Sequence, residues 1–202
     1  YGRNAGSVVN VVTKSGSNTF SGAAWEFNRD DALQARNFFA PGNQPKPELK
    51  QNQFGATLGG PVVKNRLFGF GYYEGFRNDA GITNNVLVLS AARLLSEFVP
   101  LPNSPGNRYI ISPTVNDVRD QYGARFDFQV SEKQSVLLRY MRSDTDRTTP
   151  RVIAAVDQKS LATLQDALVS HSYVFRSNLI NQARFSINRI SANPAVTSGR
   201  NP

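Results

Sequence analysis

The chain carries few groups that could do covalent chemistry. His171 is the only histidine and cysteine is absent from the 202 residues. Thiol catalysis, disulfides and cysteine-based zinc sites are therefore excluded. His171 has no paired carboxylate near it and shares a strand face with Tyr173 and Phe175, which marks it as structural rather than as a base or metal ligand. No G-x-S-x-G elbow occurs. The acidic pair Asp30–Asp31 in "NRDDALQARNFF" stands where an N-cap would open a short helix, with Arg36 further on. A calcium loop needs more oxygen ligands at regular spacing. Nothing here supports an enzyme or a bound cofactor.

The most unusual stretch is "KNRLFGFGYYEGFR", Lys64 to Arg77, in which glycines and aromatics alternate. A dinucleotide loop needs G-x-G-x-x-G opening a helix. Gly69 and Gly71 fit, but Gly75 comes one place late and "FRNDAG" is no helix start. An RNA-recognition motif matches at Arg66, Phe68, Gly69, Phe70 and Tyr73 and fails at Leu67 and Gly71. Such a domain also packs two amphipathic helices on its sheet, and no helical period lies between the strands, so a nucleic-acid partner is not expected. The remaining reading is a strand with Phe68, Phe70, Tyr72 and Phe76 on one face and Gly69, Gly71, Tyr73 and Gly75 on the other. A membrane barrel strand has such a face toward lipid, with glycines leaving room inside. A half-buried strand of a soluble sheet predicts the same alternation.

The net charge is +8 with a pI near 10.0, yet the basic residues are scattered singly, as on a solvated surface. No apolar run reaches the roughly 20 residues of a membrane helix. The chain begins at Tyr1 without methionine and stops in loop-like "SANPAVTSGRNP", so a piece of a longer protein is expected.

Period-two alternation recurs along the chain and period 3.6 hardly appears. In "QYGARFDFQV" the positions Tyr122, Ala124, Phe126, Phe128 and Val130 alternate with polar residues or glycine, and "QSVLLRYMRS" repeats this with Val136, Leu138 and Tyr140. "LVSHSYVF" and "LINQARFSIN" continue it, "FSGAAWEFN" groups Ala23, Trp25 and Phe27, and "NQFGATLGG" groups Phe54, Ala56 and Leu58. About seven strands follow. Short connections near Lys64, Lys133 and Ser177 alternate with long ones after Phe27, Arg77 and Ser143, the habit of an up-and-down transmembrane barrel. The expected fold is all-β, a partial antiparallel barrel with short helices in the long loops, around "DALQARNFF" and "SAARLLSEF".

The expected lipid-facing residues are Trp25, Phe27, Phe68, Phe70, Tyr72, Phe126, Phe128, Leu138 and Tyr140, and the expected lumen-facing ones Arg125, Asp127, Arg139 and Arg184. A five-residue turn from Ser131 to Ser135 would set Asp127 opposite Arg139. A three-residue turn would set Arg125 there instead, and like charges directly opposite destabilise a pair, so the first register is expected. The basic inner wall then suits an anionic ligand or an acidic plug surface.

"YGRNAGSVVNVVTKSGSNTFSGAAWEFNRDDALQARNFF" followed by "KQNQFGATLGGPVVKNRLFGFGYYEGFR" resembles TonB-dependent outer-membrane receptors, in particular the Oar-like branch. The likeness runs more loosely through "LLSEFVPLPN", "DQYGARFDFQVSEKQSVLLRYMRSD" and "NLINQARFSINRI". It implies that residues 1–17 end a plug domain and 18–202 begin the barrel. It implies energy-coupled uptake of a bulky nutrient across the outer membrane of a Gram-negative bacterium. The partners would be membrane lipid, the TonB complex through a preceding segment, and an extracellular ligand of unknown identity. A barrel for adhesion or signalling without transport is the alternative.

Overall fold

A computed structural model describes residues 13–35, 46–82, 84–88, 101–111, 113–151 and 156–198. Seven strands form one antiparallel meander: β1 (Ser21–Asp30), β2 (Leu49–Val63), β3 (Leu67–Gly81), β6 (Thr114–Ser131), β7 (Gln134–Pro150), β8 (Val156–Arg176) and β9 (Leu179–Ser198). Each pairs with the next along the chain, and β3 pairs with β6 across an excursion that carries a separate hairpin, β4 (Asn84–Leu87) with β5 (Arg108–Ile111). The sheet is a partial barrel with β1 and β9 at its edges. The turns at Lys64, Lys133 and Ser177 all lie at one end and the longer connections at the other, as the alternation of loop lengths predicts.

Each of the three tight hairpins contains one extra residue beside its turn. The pairing slips between Pro61 and Val63, between Gln129 and Ser131, and between Val174 and Arg176, leaving Val62, Val130 and Phe175 unpaired. These are β-bulges, which bend the strand and increase its twist. At the first turn Asn65 adopts φ 61°, a left-handed conformation that asparagine tolerates. Its side chain and backbone exchange hydrogen bonds with Asn18 at 2.7 and 2.8 Å, tying the approach to β1 onto the β2–β3 turn.

Nothing here resembles a soluble core. Among the described residues Val115, at 3% exposure, is the only buried hydrophobic, whereas Phe126, Phe185 and Ile187 are 43%, 66% and 57% exposed. A soluble sheet needs a second layer against its apolar face. Among the described residues no second layer covers this one, as in a barrel wall facing hydrocarbon.

Several expectations need correction. β7 does not end in a long loop after Ser143 but continues as a strand to Pro150. The helix expected around "DALQARNFF" is, within the described residues, a single 3-10 turn, Asp31–Leu33, capped as expected by Asp30, whose carboxylate accepts from the Ala32 amide at 2.8 Å. The helix expected at "SAARLLSEF" lies outside the described residues. The β4–β5 pair had no signal in the sequence, because its four-residue strands are too short to show a period.

The register of β6 on β7 is the one with Arg125 opposite Arg139 and Asp127 opposite Leu137, not Asp127 opposite Arg139. Two residues, Glu132 and Lys133, make the turn, and the bulge at Val130 supplies the odd residue that keeps Phe126 level with Leu138. The like charges do not decide the register because each arginine is neutralised elsewhere. Arg125 pairs with Asp127 on its own strand and Arg139 with Asp166 on β8, each at 2.8 Å.

Candidate functional site

Directly paired residues of an antiparallel ladder share a face, so the registers assign every described strand position to one of two sides. One side, called here the arginine face, carries Arg125, Asp127, Arg139, Asp166 and Arg184. The other, the aliphatic face, carries Phe126, Phe128, Leu138, Tyr140, Val169, Phe185 and Ile187. The Arg125 side chain is 16% exposed while Phe126 beside it is 43% exposed, so the sheet curls around its charged side.

Trp25, Phe27, Phe68, Phe70 and Tyr72 do not share a face with Phe126, Phe128, Leu138 and Tyr140. Phe70 stands opposite Arg125, Phe68 opposite Asp127 and Tyr72 opposite Gly123, and the ladder carries Trp25 and Phe27 to that same side. The nine aromatic and aliphatic residues expected to meet lipid therefore divide five to four between the two sides. Alternation fixes the two faces of one strand. It does not say which face matches which on a strand 30 or more residues away. Gly69, Gly71 and Gly75, expected to leave room on the inner face, stand opposite Phe126, Ala124 and Asp120 on the aliphatic side, and Gly55 and Gly123 on the arginine side serve the aromatics. A Cβ on Gly55 would come within 2.5 Å of the Trp25 ring, and one on Gly123 within 2.7 Å of the Tyr72 ring. They make room for the aromatic opposite rather than for a lumenal occupant.

The floor of the arginine face is a groove of about 590 Å³ near the tight-turn end. Arg125 is fully engaged there. Its Nε and one Nη donate to Asp127 at 2.9 and 2.8 Å, and the other Nη donates to the Thr13 carbonyl and hydroxyl oxygens at 2.7 and 2.9 Å. The segment entering β1 thus lies on this side. Gly16 confirms how closely it lies: a Cβ there would meet the Gly69 carbonyl oxygen at 2.3 Å.

Arg139 is held by one Nη to Asp166 at 2.8 Å, while its buried Nε has no partner among the described residues. An unsatisfied buried donor costs about 1–3 kcal/mol. Ser170, 7% exposed, stands between Leu137 on β7 and Arg184 on β9. The Arg184 side chain makes no hydrogen bond or ion pair among the described residues.

The aliphatic face has its own polar border. Tyr73 and Tyr122 pair directly, and Tyr140 lies one ladder step away. Beyond them, toward the long-loop end, Tyr73 donates to Asp120 at 2.6 Å, Arg77 pairs with Asp120 at 2.8 Å, and Arg142 pairs with Asp144 at 2.8 Å. His171 contacts the Gln134 side chain at 2.9 Å and lies opposite Val136, consistent with a structural residue. No group of metal-ligating side chains occurs among the described residues. Sequence reasoning missed Thr13, Asp166 and Ser170. A usable signal existed for the ion pairs: Asp117-x-Arg119, Arg125-x-Asp127 and Arg142-x-Asp144 place opposite charges two apart, hence on one face of a strand.

The profile of the outer membrane beta barrel domain matches this chain over residues 12–95 and 82–202. The TonB-dependent transporter Oar of Myxococcus xanthus is 33% identical over 105 residues, which cover 48% of this chain and 9% of that protein. The chain thus spans about a tenth of the length of that relative. No solved structure matches it.

Proposed function

We propose that this chain, which belongs to the outer membrane beta barrel domain family and so to the bacterial outer membrane, is part of the wall of a TonB-dependent transporter for a bulky nutrient. Residues 1–17 end the plug and 18–202 begin the barrel. The likeness to the Myxococcus transporter supports the transport reading, as does the observation that carries the assignment of faces: the segment entering β1 is gripped by Arg125 on the charged side. In this reading the arginine face lines the lumen, the aliphatic face meets lipid, and the TonB complex acts through sequence preceding the barrel.

The dimensions agree. A barrel band in lipid is about 25 Å tall with strands tilted about 40°, which takes about 10 residues at roughly 3.4 Å each. Counted from the tight turns, Tyr122 is the tenth strand residue and Tyr73 and Tyr140 are each the seventh, so the three hydroxyls lie in the outer half of the band, where an aromatic girdle belongs. β8 has 21 residues. About half of it therefore stands above the membrane, where the ion pairs of Asp120, Asp144 and Asp146 are in water on both sides.

The test uses the full-length protein in detergent and the purified periplasmic domain of TonB from the same bacterium. Binding that disappears on deleting the segment before the plug supports the transporter. A correctly assembled barrel that never binds TonB refutes it and leaves a barrel for adhesion or signalling.

A further inference from the structure

We propose that the arginine face between β7, β8 and β9 holds a binding site for one anionic group of the carboxylate or phosphate class, gripped by Arg139 and Arg184 with Ser170 between them. The proposal rests on the reading of this face as a hydrated lumen. It is narrower than a general basic wall. Arg125 is excluded, because Asp127 and Thr13 use all of its nitrogens that the groove could offer. What remains is Arg139, half engaged by Asp166 and with its buried Nε unpartnered, and Arg184, with no partner among the described residues. An orphaned buried donor in a folded protein signals an absent water, ion or ligand. The groove lined by Arg125, Asp127, Arg139 and Arg184, with Asp166 holding Arg139 beside it, carries three guanidinium groups against two carboxylates, 3 − 2 = one positive charge in excess.

The spacing suits a shared ligand. Arg139 lies opposite Leu168 and Arg184 opposite Ser170, so the two are separated by two strand spacings and one ladder step of two residues. With about 4.8 Å between strands and about 3.4 Å per residue, their Cα atoms are about 12 Å apart. Two arginine side chains leaning toward each other across Ser170 can close on one group of two or three oxygens, the geometry the planar guanidinium fork is suited to. The anion has two possible sources: a free anion, or a side-chain carboxylate from a part of the same protein that enters the lumen.

The experiment compares full-length wild type with Arg184→Gln in detergent, following the thermal midpoint during titration with inorganic phosphate. Arg184→Gln breaks no side-chain hydrogen bond or ion pair among the described residues. A free-anion site predicts that phosphate raises the midpoint of wild type, with affinity reduced about tenfold or more in the variant, a difference of about 1.4 kcal/mol. An internal carboxylate predicts no response to phosphate but a lower midpoint for Arg184→Gln than for wild type, restored in Arg184→Lys. If phosphate has no effect and Arg184→Gln melts like wild type, the site does not exist. Labelling of Ser172→Cys by a membrane-impermeant maleimide reads the lumen separately. Labelling together with no phosphate response and an unchanged midpoint in Arg184→Gln overturns the site alone, and protection from the reagent overturns the hydrated lumen beneath it.

Discussion

Leu137 and Leu138 are the same residue type, adjacent on β7, with side chains on opposite faces. Replacing each in turn by arginine therefore tests facing with composition and depth held constant. Leu138 stands opposite Phe126 and Val169 and is 45% exposed with no protein layer over it. It lies four residues into the strand, about 10 Å above the turn at a tilt of about 40°, close to the middle of a band about 25 Å tall. Arginine on the lipid side at that depth costs about 2–4 kcal/mol. Leu137 stands opposite Asp127 and Ser170. An arginine there loses the leucine contacts and lies beside Arg139, but gains a direct cross-strand carboxylate worth about 0.2–1 kcal/mol. The expected net change is within about 1 kcal/mol, typical of a hydrated surface position. Urea unfolding of the full-length protein in phospholipid vesicles measures both. Leu138→Arg should lower the folding equilibrium about 5-fold or more relative to Leu137→Arg, from about 1.36 kcal/mol per factor of ten. Equal costs, or a larger one for Leu137→Arg, would refute the assignment of the two faces.

Arg125→Ala should release the segment at Thr13–Ser17, raising its amide exchange about 10- to 100-fold, since hydrogen bonds to a charged group contribute about 1.5–3 kcal/mol; unchanged exchange would mean the contact with Thr13 does not hold that segment. These 202 residues contain no cysteine, so single cysteines replacing Lys64, Lys133 and Ser177 in an otherwise cysteine-free full-length protein should all label from the periplasmic side only, and labelling of any one from outside whole cells contradicts the orientation. Asp144 lies beyond the girdle, and hydrogen bonds from Arg142 and then Thr163 hold its carboxyl below the usual 3.8. A depressed carboxylate contributes stability that is present above its unfolded pKa and lost as the pH falls through its lower folded value. Exchange of the outer ends of β7 and β8, corrected for intrinsic rate, should therefore stay flat from about pH 8 to 5 and rise only below about pH 4.

The positions of the strands were legible because each lower strand has one apolar and one polar side, as in "QYGARFDFQV" and "QSVLLRYMRS". Contrast between the two sides is what a period reports. It vanishes where both sides are wet, and for that reason Asp144–Thr149 reads as loop although it is strand. The turn ends were legible from connection length alone, and the Asp30 cap from residue type. Facing between distant strands was not, since the excursion between Gly81 and Thr114 can place Phe70 opposite either Arg125 or a neighbour. The β6–β7 register failed for a related reason. Its charges were weighed as one pair, while the partners that neutralise them stand on β6 itself and on β8.

The unpaired residues Val62, Val130 and Phe175, one beside each tight turn, bear on how such a wall tolerates changes in length. A residue added within a strand turns every position beyond it to the opposite side, which would expose arginines to lipid and bury phenylalanines in water. A residue gained or lost beside one of these turns can instead be taken up by making or erasing a bulge, and the ladder above keeps its parity. The tight-turn end thus absorbs single insertions and deletions that the strands themselves cannot survive. Drift in chain length among descendants of this sequence should therefore collect at the three hairpin tips, while Phe126, Leu138 and Val169 stay level with one another.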